Sequence, residues 1–261
     1  MLPFGHLKSA AAGGPGLRSS FLAGLVMLTI VTLCARLPLA AQDRDIVLRG
    51  EFPVDLMTPP SADGFSSVTQ PGYVPQYPDA EQAAALLQDA AWQFSAMIWG
   101  WDFVYTPSDT TRQVQEYFTL QLRGSIAKGD PGLKVEGVRM VDSVIYADIS
   151  YLPDAAARSY LQAWSSAVYP PAQGSASTAA FPANSGAEPA ARQEQRHAAV
   201  SQAVKEAVRA YFRTVVFNKP REIRGSCVLS ALPRIILRSG QYVATVRIRV
   251  NTGEIIPYSQ Y

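Results

Sequence analysis

Cysteine and histidine are nearly missing from this sequence, which carries two of each in 261 residues. Cys34 and His6 lie in the first forty residues, so a chain trimmed there keeps only Cys227 and His197. One cysteine excludes an intramolecular disulfide. One histidine and one cysteine fall short of the usual zinc donor sets. Without His197 no Ser-His-Asp or Cys-His arrangement can be assembled. His197 itself sits among Arg192, Glu194, Gln195 and Arg196, which reads as a solvent-facing helix start. No glycine-rich loop leads into Lys-Ser or Lys-Thr, the pattern that cradles phosphates. The formal net charge of +2 is too small for a nucleic-acid-binding footprint. These gaps leave no catalytic residue, metal or cofactor to assign, and an enzyme is the less favoured reading.

Long apolar runs are also scarce, with one exception. Residues 21–33 (FLAGLVMLTIVTL) follow His6, Lys8 and Arg18 and precede the small pair Ala40 and Ala41. A membrane-spanning helix needs about 20 apolar residues, so this order of parts reads as a signal peptide over 1–41, cleaved after Ala41. The alternative, an anchor retained through Leu39, must absorb Arg36. Leu33 ahead of Cys34 argues against lipidation, which prefers a small residue there. We therefore expect an exported protein of the periplasm or one associated with the outer membrane. The mature chain is long enough to bury roughly 70% of its unfolded surface. Cys227, in the stretch SCVLSAL, reads as a small buried hydrophobe.

Proline and small residues mark two breaks. Residues 42–78 form a proline-rich extended spacer, with Pro53, Pro59, Pro60, Pro71, Pro75 and Pro78 removing backbone donors. Residues 170–190 (PPAQGSASTAAFPANSGAEPA) are nearly uncharged and read as a flexible linker. Between them, 79–169 is a first folded block. Asp79 is the expected N-cap of a helix reaching Trp99, with Leu87, Ala91, Phe94 and Ile98 on one face and Gly100 ending it. Trp101, Phe103 and Tyr105 alternate as in a strand, and 113–122 is ambiguous. Residues 135–141 and 144–151 flank Asp142 and Ser143 as a hairpin, and Asp154 caps a further helix.

The second block, 191–261, opens with the strongest helix, striped by Val200, Val204, Ala207, Tyr211 and Val215. Strands follow at 223–231, 234–238 and 241–250, the last two joined by Ser239 and Gly240. The turn opposes Ile235 with Ala244 and Leu237 with Tyr242 on an apolar face. Arg234, Arg238, Arg247 and Arg249 fall on the other face. The fold class is thus α+β: two helix-plus-antiparallel-sheet blocks, open to sharing one sheet. Aligning the hairpins pairs Ile145 with Tyr242 and Ile149 with Val246, which suggests an internal repeat.

Two features point to binding. Charge divides along the chain: residues 42–191 hold 8 Lys/Arg against 17 Asp/Glu (−9), and 192–261 hold 12 against 4 (+8). A basic exported module suits an anionic polymer, a lipid surface or an acidic envelope protein. The competing reading is that the halves neutralise each other. Aromatic residues cluster at Trp92, Phe94, Trp99, Trp101, Phe103 and Tyr105. Trp92 and Trp99 lie on the flank of the helical stripe and are the candidates for a partner contact. The helix over 79–100 (DAEQAAALLQDAAWQFSAMIWG) resembles that of small bacterial envelope lipoprotein and flagellar-assembly modules, which implies a structural or assembly role. The candidate site is Arg234, Arg238, Arg247, Arg249, Trp92 and Trp99, in a non-enzymatic envelope protein. The alternatives are a carboxylate-dependent hydrolase of cell-wall sugars and a structural spacer.

Overall fold

The structure, a computed structural model, describes residues 46–54, 80–141, 144–179 and 189–258. The expected leader, the Asp79 cap and the turn at Asp142 and Ser143 lie outside these residues. The described elements run β1 (Leu48–Val54), α1 (Ala80–Ile98), β2 (Trp101–Thr106), β3 (Tyr117–Leu122), β4 (Leu133–Val141), β5 (Val144–Tyr151), α2 (Ala155–Trp164), β6 (Pro171–Ser177), α3 (Pro189–Val215), β7 (Glu222–Leu229), β8 (Arg234–Arg238) and β9 (Gln241–Ile256). They form an α+β fold with two antiparallel sheets. One has three strands in the order β1-β5-β4. The other has six, β3-β2-β7-β9-β6, with β8 also on β9.

Helix α1 is rich in small and apolar residues; Ala80, Ala84 and Gln88 are exposed, while from Asp89 to Ile98 it is buried or half-buried on every side. Ala90, Phe94 and Ile98 pack with Phe52, Ala147, Ile149 and Tyr151 of the small sheet. Ala96, with Trp92 and Met97, turns instead to the core of the large sheet. The helix stops at Gly100, whose φ of +67° favours glycine. A Cβ there would also lie 2.0 Å from the Cys227 carbonyl oxygen. Strand β2 then alternates as its sequence predicts, with Trp101, Phe103 and Tyr105 buried.

Helix α3 closes the large sheet. Val200, Ala203, Val204, Ala207, Val208 and Phe212 meet Tyr242, Ala244, Val246, Ile248 and Val250 of β9. Tyr211 is half-buried, but Val215 at the end of the expected stripe is exposed. Cys227 is free and fully buried in this core. Burial, then the charge of Asp102, pushes its thiol well up from the ordinary range. The β8–β9 register pairs Ile235 with Ala244 and Leu237 with Tyr242, as the turn predicts.

Three expectations need correction. Residues 42–78 were expected to be spacer, yet 48–54 form β1, paired with β5. Pro53 fits because β1 is an edge strand, where a missing donor costs least. Residues 170–190 are not all linker, since β6 pairs with β9 from Pro171 to Ser177. Its inward residues, Ala172, Gly174 and Ala176, are small, so the alternation lacks the bulky side chains that advertise a strand. The internal repeat is not shown. The two hairpins sit in different sheets, and β2 of the first block pairs with β7 of the second.

Small residues on β6 let α3 approach closely. A Cβ on Gly174 would stand 2.2 Å from the Ala203 carbonyl oxygen and 2.4 Å from the Ala207 nitrogen. Gly174→Val is therefore expected to cost about 1–3 kcal/mol by overpacking. The readout is a lower urea midpoint at unchanged slope; an unchanged midpoint would contradict this seating of α3.

Candidate functional site

The first cluster of interest is buried between α1 and α3. Asp89 is 4% exposed and Arg196 7%. Arg196 Nη2 lies 3.0 Å from Asp89 Oδ2, and His197 Nε2 lies 3.0 Å from Oδ1. Gln93 Nε2 donates to Oδ1 at 3.1 Å. Burial pushes the Asp89 carboxyl up, but the His197 hydrogen bond, the Arg196 guanidinium and Gln93 outweigh it and hold it below the usual range. The His197 ring stacks on Trp92 at 3.9 Å and 14°. His197 is thus half-buried and engaged, not solvent-facing as its polar neighbours imply. A second tie joins the halves at Glu116, which accepts from Lys205 at 2.9 Å and lies 3.4 Å from Arg209. Part of the charge division is therefore internal complement.

Beside this cluster runs a groove of about 850 Å³. Leu87, Ala91 and Trp92 of α1 form one wall; Leu122, Ile126 and Leu133 form the other. Ser95 fixes the walls together, its Oγ donating to the Ala91 carbonyl at 2.6 Å and accepting from the Ile126 nitrogen at 2.9 Å. Polar groups stand at the rim, among them Gln88, Lys128 and Asp130. Asp130 Oδ1 accepts from the Gly132 nitrogen at 2.8 Å. Asp130 also hydrogen-bonds the Tyr151 phenol, which burial and then nearby carboxylates push up to about 12. Trp99 lies over Gly124, where a Cβ would be 2.7 Å from the indole. It is half-buried and packs on the small-sheet core, so it is not a free contact. Trp92 lines the groove while touching His197 and Trp101.

The arginines occupy the outer face of the large sheet. Arg234 pairs with Thr245, Arg238 with Gln241, and Gln173 with Arg247. Arg234, Arg238 and Arg247 are exposed. Among the described residues none of these three has an ion-pair partner, and the outward positions of β8, of β9 from Gln241 to Arg247 and of β6 hold no acid. Arg249 differs. Its Nη1 donates to the Ser166 and Tyr169 carbonyls, both at 3.2 Å, which ties the segment after α2 to the sheet. The structure thus brings three of the four arginines together as an open surface and gives Arg249 an internal role. No group of three or more His, Cys, Asp or Glu among the described residues is placed to hold a metal.

A family model matches residues 39–258, in an uncharacterised family. The chain belongs to that family. A similar protein, the "Uncharacterized protein" of Treponema pallidum (strain Nichols), is 25% identical over 219 residues, covering 79% of this chain and 88% of its own length. No solved structure matches. The family region takes in β1 through β9, and so the groove, the arginine face and the Asp89 cluster alike.

Sequence reasoning missed the Asp89 cluster because its members are distant in the chain. One signal was present: Asp89 is the one charged residue between Glu81 and Asp102, in a helix rich in Ala, Leu and aromatic residues, and such a charge demands a partner once buried. Asp89→Asn leaves Arg196 buried against a neutral group and is expected to destabilise by about 3–5 kcal/mol. The folded carboxyl titrates below the free-chain value of about 3.9. Its stabilisation is therefore complete above that value and fades as the pH falls through the folded pKa. Urea titrations should show the gap between wild type and Asp89→Asn closing in acid; a gap independent of pH would contradict the charged pair.

Proposed function

We propose that the protein is a non-enzymatic component of the cell envelope, exported to the periplasm or the outer membrane, that binds a negatively charged envelope component. The observation that carries this reading is the outer face of β8, β9 and β6. There Arg234, Arg238 and Arg247 project among Gln173, Ser175, Ser177 and Thr245, with no acid among them. A patch of one sign raises the local concentration of an oppositely charged partner and speeds encounter. Hydroxyl and amide groups between the arginines supply neutral hydrogen bonds to a polymer or headgroup layer. Export is supported by the composition of residues 1–41 and by a family region that begins at residue 39, next to the expected cleavage point.

The hydrolase reading needs two carboxyl groups facing one cleft. Among the described residues Asp130 is the one carboxylate lining the α1 groove, and the smaller hollows beside Arg238 and Arg213 have none. These three clefts therefore lack the carboxylate pair that the hydrolase reading requires.

The test is co-sedimentation with phosphatidylglycerol vesicles, compared with phosphatidylcholine vesicles, at low and high salt. Exposed charge contacts are screened over about 8 Å at physiological ionic strength. Binding to the anionic vesicles alone is expected, weakened at least roughly tenfold when Arg234, Arg238 and Arg247 become Glu. Equal binding by wild type and the triple variant, or binding indifferent to salt, would remove this function.

A further inference from the structure

The small sheet has an apolar face that its helix does not fully cover. Register places Val135 opposite Ile149, Val138 opposite Ala147, and Met140 opposite Ile145, across a bulge at Glu136. Directly paired residues share a face, and all three β5 partners are buried. Yet Val135 is 48% exposed, Val138 61% and Met140 52%. Among the described residues, helix α1 covers β1 and β5 and leaves β4 exposed from Val135 onward. Leu133, at the start of β4, lines the α1 groove, so the groove reaches the strand at that end.

We propose that this groove binds a long-chain fatty acid, with the acyl chain between α1 and the segment from Leu122 to Leu133 and the carboxylate on Lys128. Its volume of about 850 Å³ falls in the range of small-molecule sites, about 300–1,000 Å³. Against the apolar side chains that dominate the lining, a peptide would have to satisfy its backbone polar groups on the few polar residues present, Gln88, Ser95, Ser125, Lys128 and Asp130. An acyl chain has no such groups. The rim sets the headgroup sign. Asp130 is occupied by the Gly132 nitrogen and the Tyr151 phenol, whereas Lys128 is exposed and has no partner among the described residues. A carboxylate completes that ammonium.

This goes beyond the arginine-face reading and rests on a different surface. The experiment is calorimetric titration of the protein, expressed with its own leader and purified, with oleate below its micelle concentration. Saturable one-to-one binding is expected. Ala84→Trp, on an exposed position of the groove wall, should weaken it at least roughly tenfold. Lys128→Glu should weaken oleate to a similar degree and leave oleyl alcohol unchanged, which separates a lost charge from a lost fold. Shorter saturated acids should bind progressively worse, by up to roughly fourfold per methylene removed. The variant with Arg234, Arg238 and Arg247 changed to Glu should bind oleate as wild type does, so failure of either reading is visible without the other. Unsaturable partition, equal affinity in Ala84→Trp, or preference for the alcohol would overturn the proposal. So would a dimer that refuses oleate and dissociates in Ala84→Trp, which would give the groove to a second copy.

Discussion

Helix α1 is buried from two sides, and both sheets depend on it. Phe94 meets Phe52 edge to face at 5.7 Å toward the small sheet, while Trp92 meets Trp101 at 5.7 Å toward the large one. A small sheet is stabilised by a covered hydrophobic face, and here α1 provides that cover for the three-stranded sheet. The large sheet has α3 for that purpose, but the edge of its core against β2 is completed by Ala96, Trp92 and Met97. One helix thus supplies a wall to each core. Its buried Asp89 holds α3 by Arg196 and His197, which fixes the angle between the helices by charge as well as by packing.

The functional surfaces follow from where this helix ends its coverage. It lies over β1 and β5, so β4 keeps an uncovered apolar face and a groove forms beside Leu133. On the large sheet α3 takes the inner face, and the outer face is left to the alternate residues of β8, β9 and β6. Those residues are arginine, serine, threonine and glutamine together with Ile236 and Val243, and among the described residues the segment after α2 meets this face at Arg249. One chain therefore presents an apolar cleft and a cationic plane as separate surfaces.

Much of the fold was legible where bulky residues keep a clear period. Trp101, Phe103 and Tyr105 alternate, Val200, Val204 and Ala207 stripe α3, and Ile235 and Leu237 face Ala244 and Tyr242; each pattern predicts its element and its inward side. Legibility failed where burial uses small residues. The inward face of β6 is Ala172, Gly174 and Ala176, and such a strand reads as linker. Proline misled in β1, since an edge position tolerates Pro53. At the site, the arginine alternation predicted the shared face but not the carbonyls that claim Arg249. The Asp89 cluster lay beyond local reading, since 108 residues separate Asp89 from His197. Trp99 shows the same limit: its place over Gly124 depends on a loop more than twenty residues along the chain.

The claim that α1 welds both cores into one cooperative unit is tested most directly by native-state hydrogen exchange resolved by segment. Amides of α1, of β5 in the small sheet and of β9 in the large one should all exchange only through the same global opening, with matching free energies and matching denaturant dependence. If β1, β4 and β5 opened at distinctly lower free energy while α1 and β9 stayed protected, the small sheet would be an accessory layer. The helix would then not be the shared support that this structure requires.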